Sequence, residues 1–238
     1  MFDLMKTEIQ VKCPKCEKES PFTIYPRITS DDEGFWQKIL DESLFMHECP
    51  HCRNRINVQY PFMYYKTEDH FLVHYCNSDE EVNNVVKMLT KPEAQQRQMV
   101  DQLIKDDTII RIVRKRHHLI EKMCIYEAGM DDRVIEIMKF MFADAARKQK
   151  KDIQISDILF NVIKKEGEDL ENGKKILQIL SEGKIEAQGD VTDELYKKTF
   201  DDYVSAMPPM RADKNIIVNS GWARGIIQLK NSPPKIAD

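Results

Sequence analysis

Apolar and polar residues alternate through most of the first 76 positions, and this period of two predicts β-strands. Residues 7–12 alternate before the first cysteine pair and residues 22–25 alternate after it. Alternation returns over residues 56–64, where Pro61 indicates an edge strand or a bulge because proline lacks a backbone donor. Residues 71–75 alternate again after the polar segment KTED, so a long hairpin is predicted there.

Helical spacing of apolar residues appears in segments that follow capping signals. The sequence SDDE, from Ser30 to Glu33, predicts the start of one short helix between the two cysteine pairs. The sequence SDEE, from Ser78 to Glu81, predicts a second and longer helix.

The segment that follows mixes one strand with helices. The apolar run TIIRIV predicts a buried strand, and a helix starting near residue 119 should stop near Gly129. Asp131 is placed to cap the next helix, whose apolar residues recur at 3–4 spacing.

The basic stretch RKQKKD, residues 147–152, is the predicted boundary of a C-terminal region. Beyond it we expect two strands around a polar turn with glycine, then the amphipathic helix TDELYKKTFDDYVSAM, and a frayed tail at NSPP, residues 231–234. The predicted fold is α+β. Its parts are a zinc-ribbon-like β region with a short inserted helix at residues 1–76, a helical region completing that domain at 77–146, and a smaller α+β region at 147–238.

Composition and charge narrow the class of protein. The chain has 238 residues, of which 42% are hydrophobic and 32% charged, enough for a packed core. The net charge of −4 argues against a surface coated in nucleic-acid-binding charge. No apolar run approaches the ~20 residues of a membrane span. We see no signal peptide at the N-terminus, so the expected location is the cytoplasm, without membrane insertion.

Four of the six cysteines form two similar units, Cys13-Pro14-Lys15-Cys16 and Cys49-Pro50-His51-Cys52, separated by 32 residues. Two thiolates three positions apart on a tight turn can occupy two corners of a zinc tetrahedron. Two such units complete a closed site with no open position for water. The spacing therefore predicts one structural Zn²⁺ ion. Its expected ligands are Cys13, Cys16, Cys49 and Cys52.

The same letters CPHC also suit a redox dithiol. In thiol oxidoreductases the attacking cysteine stands at a helix N-terminus, which lowers its pKa. Here a period-two pattern follows each pair, and the paired spacing favours zinc, although redox chemistry stays open. Cys76 and Cys124 have no nearby partner in the sequence and are interpreted as buried, inert thiols.

The remaining candidates have simpler interpretations. The run RIVRKRHH is the only compact basic cluster and could meet phosphate, but a solvated junction is favoured. The residues of this basic cluster that could bind nucleic acid are Arg111, Arg114, Lys115 and Arg116. His70 and His74 would share a strand face, which permits a second metal site or a general base. The favoured interpretation of His51, His70 and His74 is solvated or hydrogen-bonded side chains. No phosphate-binding glycine loop, nucleophile elbow or HExxH motif is visible, so a binding role is favoured over an enzymatic one.

The two cysteine units, the intervening FWQKILDESLFMHE and the following VQYPFMYYKTEDHFLVHY resemble the CpXC domain family of bacteria and archaea. The later RIVRKRHHLIEKMCIYEAGMDDRVIEIMK is similar to the stretch that accompanies the domain. The resemblance implies that the four paired cysteines are the defining residues and presumed metal ligands. It implies no catalytic residue, because the family is functionally uncharacterised. Glu17 and Arg53 depart from the glycine that is common after the second cysteine.

The favoured function is therefore a zinc-stabilised interaction module whose partner is a protein. A nucleic-acid-binding zinc ribbon that uses Arg111–His118 is the first alternative, with binding that falls steeply with salt. A thiol–disulfide oxidoreductase that uses CPKC and CPHC is the second.

Overall fold

A computed structural model describes residues 4–167, 169–209 and 216–231, and these residues divide into two units. The first unit contains the described residues up to Ile120 together with Ile216. The second contains the described residues from Glu121 to Pro209 and from Ile217 to Asn231. The domain boundaries at residues 76 and 146 stay a prediction.

The first unit is built mainly from strands in its N-terminal half and from helices further along. Its elements, in chain order, are β1 (Met5–Lys12), β2 (Glu19–Thr29), α1 (Phe35–Leu40), β3 (Met46–Glu48), β4 (Arg55–Asn57), β5 (Phe62–Lys66), β6 (Phe71–Tyr75), α2 (Asp79–Thr90), α3 (Ala94–Lys105), β7 (Ile109–Val113) and the start of α4 (Arg116–Glu127).

Five of these strands form one mixed sheet in the order β1-β2-β5-β6-β7. The pairs β1–β2 and β5–β6 are antiparallel, whereas β2–β5 and β6–β7 are parallel. The predicted hairpin is therefore present as β5–β6. Pro61 lies between β4 and β5, which belong to different sheets, because β3 and β4 form a separate antiparallel pair. Because Pro61 lies outside both strands, its missing backbone donor disturbs neither sheet, and the predicted edge strand or bulge is not needed to accommodate it.

A hydrophobic cluster joins the sheet of the first unit to two of its helices. Leu72 of β6 and Ile110 of β7 pack with Leu89 of α2 and Leu103 of α3. These side chains are nearly inaccessible to water, so their burial stabilises the packing of α2 and α3 against β6 and β7.

Only one of the two predicted capping boxes caps a helix. The Ser78 side chain accepts a hydrogen bond from the Glu81 amide and starts α2 as predicted. Helix α1 instead starts after Gly34, which has a φ of 78° and provides no side-chain cap. Ser30 contacts Thr67, so the capping prediction for SDDE is wrong.

The second unit combines a three-stranded sheet with helices. Its elements are the end of α4, α5 (Asp132–Gln149), β8 (Asp157–Ile163), β9 (Lys174–Ser181), β10 (Lys184–Asp190), α6 (Asp193–Tyr203) and α7 (Ser220–Asn231). The sheet has the order β10-β9-β8 and is antiparallel throughout. Val134 and Ile137 of α5 pack with Phe160, Leu177 and Ile226 in the core.

The C-terminal region holds two elements that the sequence patterns did not predict, β10 and α7. Asp131 caps α5 as predicted, since its carboxylate accepts a hydrogen bond from the Arg133 amide. Asn231, predicted to open a frayed tail, is the last residue of α7, and the rest of NSPP lies outside the described residues. The α+β class is confirmed.

A chain of ion pairs is buried between α4 and α5 in the second unit. The Lys122 Nζ lies 2.8 Å from Asp132 Oδ2 and 3.1 Å from Glu136 Oε1. The Lys139 Nζ lies 3.0 Å from both Glu136 and Glu121. Each of the five side chains is less than a tenth exposed. Burial of so many charges is tolerated because each has an opposite charge within hydrogen-bonding distance.

Candidate metal centre

The two cysteine pairs occupy the tips of two hairpins. Cys13 and Cys16 lie in the turn between β1 and β2, and Cys49 and Cys52 lie in the turn between β3 and β4. Each pair was predicted to lie among strands, and the structure shows it at the point where the chain reverses. The structure therefore brings together four thiols that are far apart in the sequence.

The two turns have the same backbone hydrogen bonds. The Cys13 amide donates to the Lys18 carbonyl at 2.9 Å, and the Cys49 amide donates to the Asn54 carbonyl at 2.9 Å. A further bond in each turn runs from the residue after the second cysteine to the carbonyl of the first. Its lengths are 2.9 Å from Glu17 to Cys13 and 2.8 Å from Arg53 to Cys49.

Glu17 and Arg53 adopt left-handed backbone conformations, with φ of 61° and 59°. This is the region in which glycine is the easiest residue to place, because it has no Cβ. The two departures from glycine noted in the sequence therefore leave the turn geometry intact. Each turn accepts the local strain of a side chain at this position.

The four sulfur atoms have the separations of a tetrahedral metal site. Cys13 Sγ lies 3.6 Å from Cys52 Sγ, and Cys16 Sγ lies 3.7 Å from Cys49 Sγ. All four lie within 4.8 Å of one another, and all are free thiols. A tetrahedral ion with metal–sulfur bonds of about 2.3 Å requires sulfurs about 3.8 Å apart. The donor set therefore fits a tetrahedral cation such as Zn²⁺ or iron.

Cys13 and Cys49 are fully buried, Cys16 and Cys52 are partly exposed, and the four thiols influence one another's ionisation. Burial alone would raise the pKa of Cys13, but bonds from the Cys16 and Lys15 amides and from cysteine neighbours lower it to about 6. The Asn54 amide lowers the pKa of Cys52, whereas burial and its three cysteine neighbours raise it to about 12. The two shifts have opposite directions, because hydrogen bonds among the sulfurs favour the thiolate at Cys13 and the thiol at Cys52.

A buried histidine connects the two hairpins that carry the cysteine pairs. Ser20 Oγ of β2 lies 2.7 Å from His47 Nε2 of β3, and both residues are buried. The His47 ring also lies against Phe22, with centroids 5.2 Å apart. Sequence analysis did not single out this contact, because the two residues of the hydrogen bond are 27 positions apart.

Cys13 has the lowered pKa of an activated redox cysteine, but the cysteine pairs lack its usual position at a helix N-terminus. After Cys16 the chain continues into β2, and after Cys52 it continues into β4. Neither pair stands at the start of a helix, so no helix dipole acts on its thiolates.

The two remaining cysteines lie apart from this site. Cys76 is fully buried after β6, and burial, with Glu81 nearby, raises its pKa to about 11. Cys124, predicted to be buried, is partly exposed in α4, and its partial burial, with Glu121 contributing, raises its pKa to about 11. Both thiols stay protonated at neutral pH and are poor nucleophiles.

The three candidate histidines differ in surroundings. His51 is exposed at the tip of the second turn. His70 lies in the turn before β6, with a φ of 50° and its Nδ1 3.3 Å from the Tyr65 hydroxyl. His74 lies within β6, and burial lowers its pKa to about 4. His70 and His74 therefore lie in different backbone settings.

The predicted basic cluster is divided between the core and the surface. Arg111 is fully buried in β7 and donates to the Ile110 carbonyl. Arg116 is only 8% exposed. Its guanidinium bonds Glu42 and Asn57 and lies 4.2 Å from the Phe45 ring centroid.

The other two members of the basic cluster are on the surface. Arg114 forms an ion pair with Asp79, and Lys115 is exposed. Since two of the four cationic groups are buried, the cluster presents half of its predicted charge to a phosphate backbone. Nucleic-acid binding by these residues stays a prediction.

Comparison with known families places the chain. Residues 11–139 match the CpXC protein family, and the match covers more than half of the 238 residues. The chain therefore belongs to the CpXC family, as its cysteine units predicted. No curated protein and no solved structure gives a significant match. Within the described residues, no helix is long and apolar enough to cross a membrane.

Proposed function

We propose that this CpXC protein is a zinc-stabilised interaction module that binds a protein partner. The observation that carries the proposal is the convergence of the four thiols of Cys13, Cys16, Cys49 and Cys52 at tetrahedral separations. Four protein ligands leave no coordination position for water or substrate. The ion's role would therefore be structural.

Zinc in this position would hold together two hairpins that belong to different sheets. The β3–β4 pair is short, with three residues in each strand, so its own hydrogen bonds give little stability. Structural zinc sites supply roughly 10–16 kcal/mol of apparent binding free energy, which becomes folding free energy when the unfolded chain lacks the site. The ion would thus fix the position of β3–β4 relative to β1–β2.

A protein partner is favoured by the surface that these hairpins present. Pro14 and Lys15 of the first turn and Pro50 and His51 of the second are exposed. Prolines fix the loop backbone before binding, which lowers the entropic cost of association. Nucleic acid is less favoured because Arg111 and Arg116 are buried.

Metal content would test the first part of the proposal. The full chain is purified without added metal, analysed for its elements and titrated for free thiols before and after chelation. We expect about one zinc per chain and four thiols unmasked by the chelator. Iron in place of zinc, or no metal with disulfide-linked pairs, would contradict it, and the second result would favour the redox alternative.

Matched cysteine variants would identify the ligands. Cys13→Ser and Cys49→Ser should lose the zinc and unfold the β3–β4 hairpin. Cys76→Ser and Cys124→Ser should keep one zinc, because these thiols lie outside the cluster. Full zinc content in the first pair of variants would exclude the four-ligand site.

Partner capture would test the second part. We expect the wild-type chain to capture a protein partner, and we expect this binding to survive nuclease treatment. The variant Lys15→Glu should lose the partner while it keeps its zinc. A partner removed by nuclease, or binding that falls steeply with salt, would favour the nucleic-acid alternative.

A further inference from the structure

Strand β1 is an open edge of the larger sheet. It pairs with β2 on one side and, among the described strands, has no neighbour on the other. At the opposite edge of this sheet, the Ile112 amide of β7 donates to the Ile216 carbonyl at 2.7 Å. One sheet edge is thus occupied, whereas no described residue pairs with the outer edge of the eight-residue strand β1.

The backbone N–H and C=O groups of successive β1 residues point alternately toward β2 and away from it. The Cys13 amide donates to Lys18 across the hairpin, so Cys13 faces β2. In an antiparallel pair every second residue has the same direction, so Val11, Ile9 and Thr7 also face β2. The intervening residues Glu8 and Gln10 direct their N–H and C=O groups away from the sheet. Lys6 continues this alternation, because the register shift between Met5 and Thr7 places its extra residue in β2, where Ile24 and Arg27 are three positions apart.

Two features at β1 bear on how its edge would pair: exposed apolar groups where it begins, and a pair of opposite charges. Leu4, directly before β1, and Met5, its first residue, are 38% and 47% exposed. Lys6 and Glu8 carry opposite charges at the two outward-facing positions on either side of Thr7. Edge strands that must stay unpaired usually avoid apolar groups of this kind.

We propose that β1 pairs with β1 of a second copy of this chain, antiparallel and centred on Thr7. In this arrangement Lys6 of each copy lies opposite Glu8 of the other, and both pairs bring opposite charges together. Met5 lies opposite Ile9 and Leu4 lies opposite Gln10, so the exposed apolar groups gain cross-strand neighbours. The contact is isologous, as a closed twofold dimer requires.

Charge selects this register over its neighbours. Pairing centred on Glu8 places Glu8 against Glu8, and pairing centred on Ile9 places Lys6 against Lys12. Like charges directly opposite each other destabilise a strand pair. Pairing centred on Gln10 brings Glu8 to Lys12 but aligns Leu4 and Met5 with the cysteine turn, where no strand continues.

A charge-swap series with the full chain would test the proposal by sedimentation equilibrium. The wild type should reach twice the monomer mass of 28.0 kDa as its concentration rises. Lys6→Glu and Glu8→Lys each turn two attractive pairs into repulsive ones and should weaken dimerisation about tenfold or more. The double variant Lys6→Glu/Glu8→Lys restores opposite charges and should restore the dimer.

Lys12→Glu is the matched control, because Lys12 is exposed on the same strand beyond the paired segment. It should dimerise like the wild type, and metal content and circular dichroism should be the same in all variants. A wild type that stays monomeric at all concentrations would overturn the proposal. A dimer that ignores the swaps, or that Lys12→Glu weakens as much as Lys6→Glu does, would overturn this interface and its register.

Discussion

Glu17 and Arg53 occupy equivalent positions in two separate hairpins, each directly after the second cysteine and each with a φ close to 60°. An L-residue in this conformation costs roughly 1–2 kcal/mol relative to the right-handed helical region. The chain accepts this cost in both turns, because the chain reversal at this residue allows the two cysteines of each pair to face the same metal position.

We predict that Arg53→Gly stabilises the second turn and that Arg53→Val destabilises it. Glycine removes the Cβ clash and gains up to ~1 kcal/mol after its own chain entropy, whereas a β-branched residue should lose ~1–2 kcal/mol. Chelator concentration at half metal release would measure both effects. Lys18→Gly is the control and should bring no gain, because Lys18 is outside the positive-φ positions. An equal response of Gly and Val would refute the prediction.

Removing one partner from the buried ion pairs should destabilise the second unit strongly. Lys139→Met leaves the carboxylates of Glu121 and Glu136 without a shared cation, which should cost about 3–5 kcal/mol in the free energy of unfolding. Lys148→Met, on the same helix, removes an exposed pair with Asp144 and should change it by less than about 1 kcal/mol. Urea unfolding measures both, and similar losses in the two variants would contradict the assignment.

The same ion pairs predict how stability depends on pH. Burial raises the pKa of Glu136, but the charges of Lys122 and Lys139 lower it by more, so the net shift of the pKa is downward. Its contribution is therefore present above the unfolded pKa of about 4.3 and is lost as the pH falls through the lower folded value. Burial lowers the pKa of Lys139, whereas Glu121 and Glu136 raise it above the ordinary lysine value. The contribution of Lys139 to stability is present below the ordinary lysine pKa and is lost at alkaline pH, as the pH rises through the raised pKa of the folded state.

One substitution would test the loss of stability at acidic pH. Glu136→Gln removes the titrating carboxylate, so unfolding free energy measured from pH 7 down to pH 3 should fall less steeply than in the wild type. Parallel pH profiles for the two proteins would show that the Glu136 pKa is not lowered on folding.

Arg116 should behave as a structural residue of the first unit. Arg116→Lys keeps the charge but loses the planar contact with Phe45 and the paired donors to Glu42 and Asn57, which should cost ~2 kcal/mol. Arg114→Lys is the matched control on the surface and should cost less than about 1 kcal/mol. Thermal unfolding would distinguish them, and a larger loss at Arg114 would contradict the assignment.

The two capping boxes offer a further matched test. Ser78→Ala removes the side-chain acceptor of the Glu81 amide and should cost about 1 kcal/mol. Ser30→Ala removes only exposed contacts with Thr67 and should change stability by less than ~0.5 kcal/mol. Denaturant unfolding measures the two values, and equal losses would show that Ser30 also stabilises a helix end.

Local patterns predicted the elements whose signals lie within a few residues. Ser78 and Asp131 cap helices where expected, and the alternation of residues 71–75 forms a strand. Strand β10 was missed because it is mostly exposed and polar, and helix α7 was also missed. At Ser30 the same four-residue signal failed because its hydroxyl is engaged by Thr67, 37 positions away.

By itself the sequence determined the family, the α+β class and the spacing within each cysteine pair, because these depend on residue order over short distances. Only the tertiary structure decided which pairs converge and which charges are buried. Arg116 illustrates the difference, since the groups that bury it, Glu42 and Asn57, are 74 and 59 positions away. Burial depends on what folding brings against a side chain, and residue order alone does not specify it.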